Sequence, residues 1–272
     1  MKRIGYTLLT GSLLIGIAAV AHGTPTPNSA ALNLRVFNDC PFSTLTTNNA
    51  YPGLVSIDDF VPAGTCGGFA NLHAWSFSEN GTDPAVFDNN ACFTFGFTLV
   101  ISGTGQGEAA ARISPWWGKF TDGRINVRTT DGEVAVFGGR LPFYSFTGNG
   151  VPAYVKGTPI RLEMTYTPNQ MTEASPGTFQ YSVTYGGNKY DSPVLPVDQG
   201  NDAEDPPYGL WGMLNVGPVG GLVQPLWGPT NPLVDRNVKA DFTDITFDKT
   251  CVEKKPTPTK SSSWGQLKVL YR

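Results

Sequence analysis

The sequence predicts an all-β protein, a two-sheet antiparallel sandwich built as a single domain. Its composition is rich in turn formers, with 32 Gly and 22 Pro among 272 residues, and only 15% of the residues are charged. Aromatic residues make up 12% of the chain, which disfavours both a helical bundle and a disordered chain. Apolar and polar residues alternate in successive short runs, as half-buried antiparallel strands require.

The strands are predicted from these period-two runs. In one of them, Ile125 and Val127 alternate with Arg124, Asn126 and Arg128. Asp131-Gly132 then supplies a tight hairpin turn into Val134 and Val136. The other alternating apolar sets are Phe93, Phe95, Phe97, Leu99 and Ile101; Leu162, Met164 and Tyr166; Phe179, Tyr181, Val183 and Tyr185; and Ile245 with Phe247.

Phe242 is out of phase with Ile245 and Phe247, which indicates a β-bulge or the start of a strand. No segment has the helical periodicity that the crossovers of a parallel α/β fold need. No internal repeat is visible either, which argues against propellers and solenoids. One domain over residues 24–251 accounts for all the predicted strands.

Residues 1–23 have the pattern of a cleaved export signal. Lys2 and Arg3 precede a short apolar core, and small residues near Ala21 provide a cleavage site. The apolar run is interrupted at 10–12 and is too short to cross a bilayer, and no later segment is long and apolar enough. We therefore predict a protein that is secreted, periplasmic or held at the cell surface, without a transmembrane segment.

The cysteines agree with export. An even number of them in an exported chain indicates two disulfides, whose pairing the sequence leaves open among three arrangements. Their spacing lacks any C-x-x-C pair, so a zinc site is not expected. The four are Cys40, Cys66, Cys92 and Cys251.

The charge of the core restricts its partners. The signal and the C-terminal tail hold seven of the 19 basic residues and one of the 22 acidic ones, so residues 24–251 carry 12 basic and 21 acidic residues and a net charge of −9. Nucleic acid is therefore not expected as a partner. A polyanionic polysaccharide is disfavoured as well, unless a local basic groove overrides the mean charge.

Two segments carry a resemblance to a known superfamily. Residues 122–128 with the Asp131-Gly132 hairpin, and then residues 179–185, resemble the middle strands of concanavalin A-like jelly rolls. That superfamily holds lectins, glycoside hydrolases and polysaccharide lyases. Residues 137–146 also resemble a block in uncharacterised exported bacterial proteins. The resemblance implies a jelly-roll sandwich and, more weakly, a sugar ligand.

The C-terminal tail is separate from the domain. Residues 252–263 form a Pro/Thr/Lys/Ser linker that should stay extended. Residues 264–272 follow, with Trp264, Leu267 and Tyr271 on one stripe if the segment is helical. It is either a frayed terminus or a short docking or sorting-like peptide for a cell-surface partner.

Catalytic motifs are absent from the sequence. It has no nucleophile elbow, no phosphate-binding loop, no dinucleotide fingerprint and no strand of paired carboxylates, so no cofactor is predicted. A polysaccharide lyase or glycoside hydrolase remains the alternative. A lyase would use His73, Tyr144 and Arg140 as base, acid and charge neutraliser, although a buried structural role for His73 has the greater weight.

Aromatic residues favour carbohydrate binding without cleavage, because sugar rings stack on exposed aromatic faces. We therefore predict a lectin-like protein with a polysaccharide or other glycan as its partner; a structural protein of the cell envelope or matrix is the second alternative. The predicted ligand-binding residues are Trp116, Trp117, Arg140, Phe143, Tyr144 and Trp211.

An acidic loop provides a candidate calcium site, because a hard cation prefers oxygen ligands. Acidic loops are usually only solvated, so a structural calcium ion is the lesser interpretation. The candidate ligands are Asp198, Asn201, Asp202 and Asp205.

Overall fold

A computed structural model describes residues 24–114, 121–202, 209–228 and 233–250. Two antiparallel sheets of eight strands form a sandwich, which confirms the predicted fold class. Sheet A contains, in spatial order, β1 (Ser29–Asn38), β4 (Asn71–Ser78), β15 (Gly217–Leu226), β7 (Gln106–Ile113), β8 (Gly123–Arg128), β9 (Val134–Phe137) and β10 (Tyr144–Ser145), with β5 (Val86–Phe87) paired to β15.

Sheet B packs on one face of sheet A. Its order is β13 (Asn188–Asp191), β12 (Thr178–Tyr185), β11 (Ile160–Thr167), β6 (Phe93–Ser102), β16 (Arg236–Asp248), β3 (Leu54–Val61) and β2 (Thr44–Ala50), with β14 (Leu195–Pro196) paired to β12. A 3-10 turn, Thr147–Asn149, follows β10.

The core lies between the sheets and is centred on Trp75 of β4. Its indole meets Phe77 and Phe242 edge-on, with ring centroids 5.3 and 5.7 Å apart. Gly221 of β15 lies opposite Trp75 in the register. A methyl group at Gly221 would sit 2.9 Å from Cε1 of Phe242 and closer still to the Trp75 indole nitrogen. The lack of a side chain at Gly221 therefore leaves the space into which the Trp75 indole packs.

We expect Gly221→Ala to lower the free energy of unfolding by about 1–3 kcal/mol, because the new methyl group overpacks a closed core. Urea denaturation measures the change. Gly67→Ala is the matched control, because a methyl group there meets nothing within 4 Å. Equal stabilities of the two variants would contradict the packing argument.

Two predicted irregularities are confirmed. The register between β16 and β6 shifts between Thr243 and Thr246, next to Asp244, whose φ is 50°. This bulge lets both Phe242 and Phe247 contact core rings. The β8–β9 hairpin turns at Gly132 with φ 74°, a conformation that glycine adopts without strain.

The structure also resolves part of the disulfide pairing. Cys40 and Cys66 are bonded to each other, and Cys92 is disulfide-bonded as well, while Cys251 lies outside the described residues. Disulfides fit an oxidising, extracellular compartment. In the part of the chain that the structure describes, no helix is long and apolar enough to cross a membrane.

Candidate functional site: a polar trough across sheet A

The outer face of sheet A, turned away from sheet B, carries a transverse band of side chains, which we call the trough; its floor is buried, with Ala110, Leu222 and Asn126 at most 1% exposed. Cross-strand neighbours in an antiparallel sheet share a face and form transverse rows. The floor row consists mostly of small side chains, namely Ala74, Leu222, Ala110, Asn126 and Ala135.

Longer side chains flank this floor on both sides. The row on one side, the glutamate row, is Phe37, Leu72, Gln224, Glu108 and Arg128. The row on the other side, the arginine row, is Ser76, Gly220, Arg112, Arg124 and Phe137. With strands about 4.8 Å apart, the glutamate row extends about 19 Å from β1 to β8. The described strands form two layers only, so none of them packs as a third layer on this face.

Arg112 is a buried cation in the arginine row, with 5% of its surface exposed. Its guanidinium donates to the carbonyl oxygens of Gly221, Ser114 and Trp75 at 3.3 Å and to Oγ of Ser76 at 2.7 Å. No carboxylate of the described residues forms an ion pair with it. Burial lowers the pKa of Arg112 to about 10, which leaves it charged at neutral pH. A buried charge without a counter-charge is costly, so this position favours an anion.

The Glu108–Arg124 ion pair crosses the trough. Nη2 of Arg124 lies 2.6 Å from Oε2 of Glu108, and the two residues belong to opposite rows, so the pair passes over Ala110 and Asn126. Phe137 supports the arginine from the side, with the guanidinium carbon 5.0 Å from the ring centroid. Burial lowers the pKa of Arg124 to about 10, and Glu108 opposes the shift.

Two amide side chains in the trough have unused polar atoms. Asn126 is 1% exposed, and neither its oxygen nor its nitrogen has a hydrogen-bond partner; Oε1 of Gln224 has none either. Buried amides are normally satisfied, so these buried atoms keep hydrogen-bonding capacity that no described residue uses. At the far end of the glutamate row, Arg128 pairs with Asp131 at 2.6 Å and Glu133 at 2.7 Å.

His73 is on the other side of the sheet, in the interior, and is fully buried. The backbone N–H of Arg35 donates to its Nδ1 at 3.0 Å, so the network assigns the ring proton to Nε2, which donates to Asp59 at 3.0 Å. Asn71 also donates to the same carboxylate oxygen at 2.7 Å. Both ring nitrogens of His73 are thus hydrogen-bonded within the fold, which is the arrangement of a structural histidine.

The Asp59 network makes stability depend on pH. Burial alone would raise the pKa of Asp59, but hydrogen bonds from His73, Ser43 and Asn71 together lower it. Because the folded-state pKa is below that of the unfolded chain, the ionised carboxylate stabilises the fold above about pH 4. This stabilisation is lost as the pH falls through the folded-state pKa.

We therefore expect Asp59→Asn to be less stable than the parent at pH 7, by about 3 kcal/mol, and the difference to shrink in acid. Urea denaturation of both proteins at pH 7 and pH 3 measures this stability difference. The other carboxylates are the same in both proteins, so their contributions to its pH dependence cancel. A stability difference that is constant with pH would contradict a role for the ionised carboxylate.

Among the described residues, the other predicted binding residues are not members of the three rows. Arg140 is buried and donates to the carbonyl oxygens of Gly200, Gln199 and Gly212, which brings it beside the segment that contains Trp211. Phe143 is 69% exposed. Tyr144 is half-buried, with its ring 4.9 Å from that of Phe146, and burial raises its pKa.

Several predicted residues lie outside the described residues, among them Trp116, Trp117 and Asp205. Of the calcium candidates that are described, Asp198 is exposed, Asp202 is half-buried and Asn201 is fully buried. Across the described ranges, no group of three or more His, Cys, Asp or Glu side chains could hold a metal ion.

Sequence analysis did not assign Glu108, Arg112 or Asn126 to a binding site. One signal was present: Arg124, Asn126 and Arg128 occupy the outward positions of a strand whose inward positions are apolar. The remaining members of the trough come from strands far apart in the chain, and only the strand order brings them together.

Comparison with known proteins gives distant likenesses only. No family model and no curated protein matches this chain. An alginate lyase from Klebsiella pneumoniae is 11% identical over 82% of this chain and 96% of its own, with a TM-score of 0.47. AlgAT5, an alginate lyase of polysaccharide lyase family 7, is 11% identical over 82% and 95%, with a TM-score of 0.41. Arcelin-5, a lectin-like defense protein from Phaseolus vulgaris, is 15% identical over 83% and 96%, with a TM-score of 0.35. At these identities and TM-scores, the likenesses assign this chain to no family.

Proposed function

We propose that this protein is an exported carbohydrate-binding protein that holds an acidic polysaccharide in the trough of sheet A. The buried, uncompensated charge of Arg112 is the observation that carries the proposal. A carboxylate or sulfate group on the ligand supplies the missing counter-charge. The core as a whole is acidic, but recognition depends on the charges that line the site, where Arg112 has no acidic partner among the described residues.

The shape of the site favours a linear chain. The floor consists mostly of small side chains, and long side chains flank both sides, so a linear ligand in this position lies perpendicular to the strands. Asn126 and Gln224 offer unpaired amide atoms to the hydroxyl groups of the sugars. The ion pair of Glu108 with Arg124 closes the centre of the trough, so a ligand carboxylate enters by replacing Glu108 on Arg124.

Affinity electrophoresis of the exported protein tests the proposal. Separate gels contain a polyuronate, a sulfated galactan or a neutral glucan. We expect retardation in at least one acidic gel and none in the neutral gel. Unretarded migration in both acidic gels would overturn the proposal and favour the structural alternative. If unsaturated sugar ends accumulate during incubation with a retarding polyuronate, the protein is a lyase in addition to a binding protein.

A further inference from the structure

Three exposed phenylalanines lie within three residues of the disulfide-bonded Cys40 or Cys66. Phe37 is 43% exposed, Phe42 is 74% exposed and Phe69 is 53% exposed. Large aromatic side chains are seldom left in water in groups, and such a group marks a contact surface. We call these three residues the phenylalanine platform.

The backbone beneath the platform is held at several points. The Asp39 carboxylate accepts hydrogen bonds from the backbone N–H groups of Phe69 at 3.0 Å and Ala70 at 3.3 Å. Asn71 accepts one from the backbone N–H of Cys40 at 3.0 Å, and the disulfide joins Cys40 to Cys66. A surface fixed in this way loses little conformational entropy when a ligand binds.

The guanidinium of Arg35 fixes the same loop from the other side. It donates to Oδ1 of Asn38 at 2.7 Å, and to the carbonyl oxygen and Oγ of Ser43 at 2.6 and 3.0 Å. These hydrogen bonds hold one residue before Phe42 in the chain, Asn38, and one residue after it, Ser43. The loop that carries the most exposed ring is therefore constrained at each end.

The platform is continuous with the trough. Phe37 pairs with Leu72 in the register of β1 and β4, which makes it the first member of the glutamate row. Gln224 lies two strands from Phe37, at about 10 Å, and Glu108 lies three strands from Phe37, at about 14 Å. A polymer that lies along the trough and continues past β4 must therefore pass over Phe37.

We propose that the phenylalanine platform is an additional subsite that stacks pyranose rings of the polysaccharide held in the trough. The inference rests on the proposed function. The apolar C–H faces of the sugar rings cover the phenylalanine rings, as the apolar faces of other ligands do at aromatic surfaces. Continuity with the trough selects a sugar chain as the occupant over a protein partner. The subsite contributes affinity only to chains long enough to reach it from Arg112.

A series of oligosaccharides of increasing length, prepared from the polysaccharide that retards the protein, tests the subsite by calorimetry. We expect the double variant F37A/F69A to bind long oligomers about tenfold more weakly than the parent does. Its affinity for the shortest oligomer that binds should be unchanged. Phe60→Ala is the matched control, because Phe60 is 37% exposed on β3 of sheet B, and it should change neither affinity.

Either of two results would overturn the subsite. One is an unchanged affinity of F37A/F69A for long oligomers, which would leave the platform to a different partner. The other is an equal loss for short and long oligomers, which would mean that the substitutions disturb the trough itself. Both results presuppose binding by the parent protein, so they are distinguishable from failure of the proposed function, in which no acidic saccharide binds.

Discussion

Replacing Arg112 by methionine is expected to weaken the binding of acidic oligosaccharides about 10- to 100-fold, the equivalent of one charge-assisted hydrogen-bonded contact. The fold should survive the substitution, because exchanging a buried charge for an apolar side chain of similar volume is often neutral or stabilising. Titration calorimetry gives the affinity, and urea denaturation gives the stability of the same samples.

Arg161→Met is the control for this substitution. Arg161 lies on the outer face of sheet B, is partly exposed and pairs with Glu163 at 3.2 Å, so its loss removes an arginine without touching the trough. We expect this variant to bind as the parent does. If Arg112→Met retained full affinity in a folded protein, Arg112 would have no part in recognition.

Glu108→Gln is expected to have opposite effects on stability and on binding. Without ligand, Arg124 loses the carboxylate of Glu108 while only 2% of its side chain is exposed, so the free energy of unfolding should fall by about 2–3 kcal/mol. An acidic ligand then supplies the missing carboxylate without displacing Glu108. We therefore expect tighter binding than in the parent and a larger rise in Tm on adding the ligand.

Glu133→Gln provides the comparison for this result. It removes one carboxylate partner of Arg128, which keeps its ion pair with Asp131 at 2.6 Å. The effects on stability and on ligand binding should therefore both be small. A neutral oligosaccharide should give no larger Tm rise with Glu108→Gln than with the parent. If Glu108→Gln bound the acidic ligand more weakly than the parent, Glu108 would be a direct ligand contact, and the proposed exchange of carboxylates would be wrong.

The strands could be predicted from the sequence because each is encoded locally. The alternation of Ile125 and Val127 with Arg124 and Asn126 is a property of six consecutive residues, and the structure places the two sets on opposite faces of β8. The out-of-phase position of Phe242 likewise predicted the bulge in β16 from neighbouring residues alone.

The trough could not be predicted in the same way. Leu72, Gln224 and Glu108 are neighbours across β4, β15 and β7, although more than a hundred residues separate Gln224 from the other two. The strand order that joins them depends on the packing of the whole sandwich. The sequence prediction instead named Arg140, Phe143, Tyr144 and Trp211, which are not members of the three rows. The net charge of the core also concealed Arg112, a buried arginine that forms no ion pair with a carboxylate in the part of the chain that the structure describes.

The most direct test of acidic-polysaccharide binding compares one oligouronate with its carboxyl-reduced form, in which each carboxylate has become a neutral hydroxymethyl group. Titration calorimetry of the exported protein with both ligands isolates the contribution of the charge, since the sugar backbone is the same. We predict that the oligouronate binds at least about tenfold more tightly, and that Arg112→Met removes most of the difference. Equal affinities for the two ligands would contradict a trough built around an uncompensated arginine.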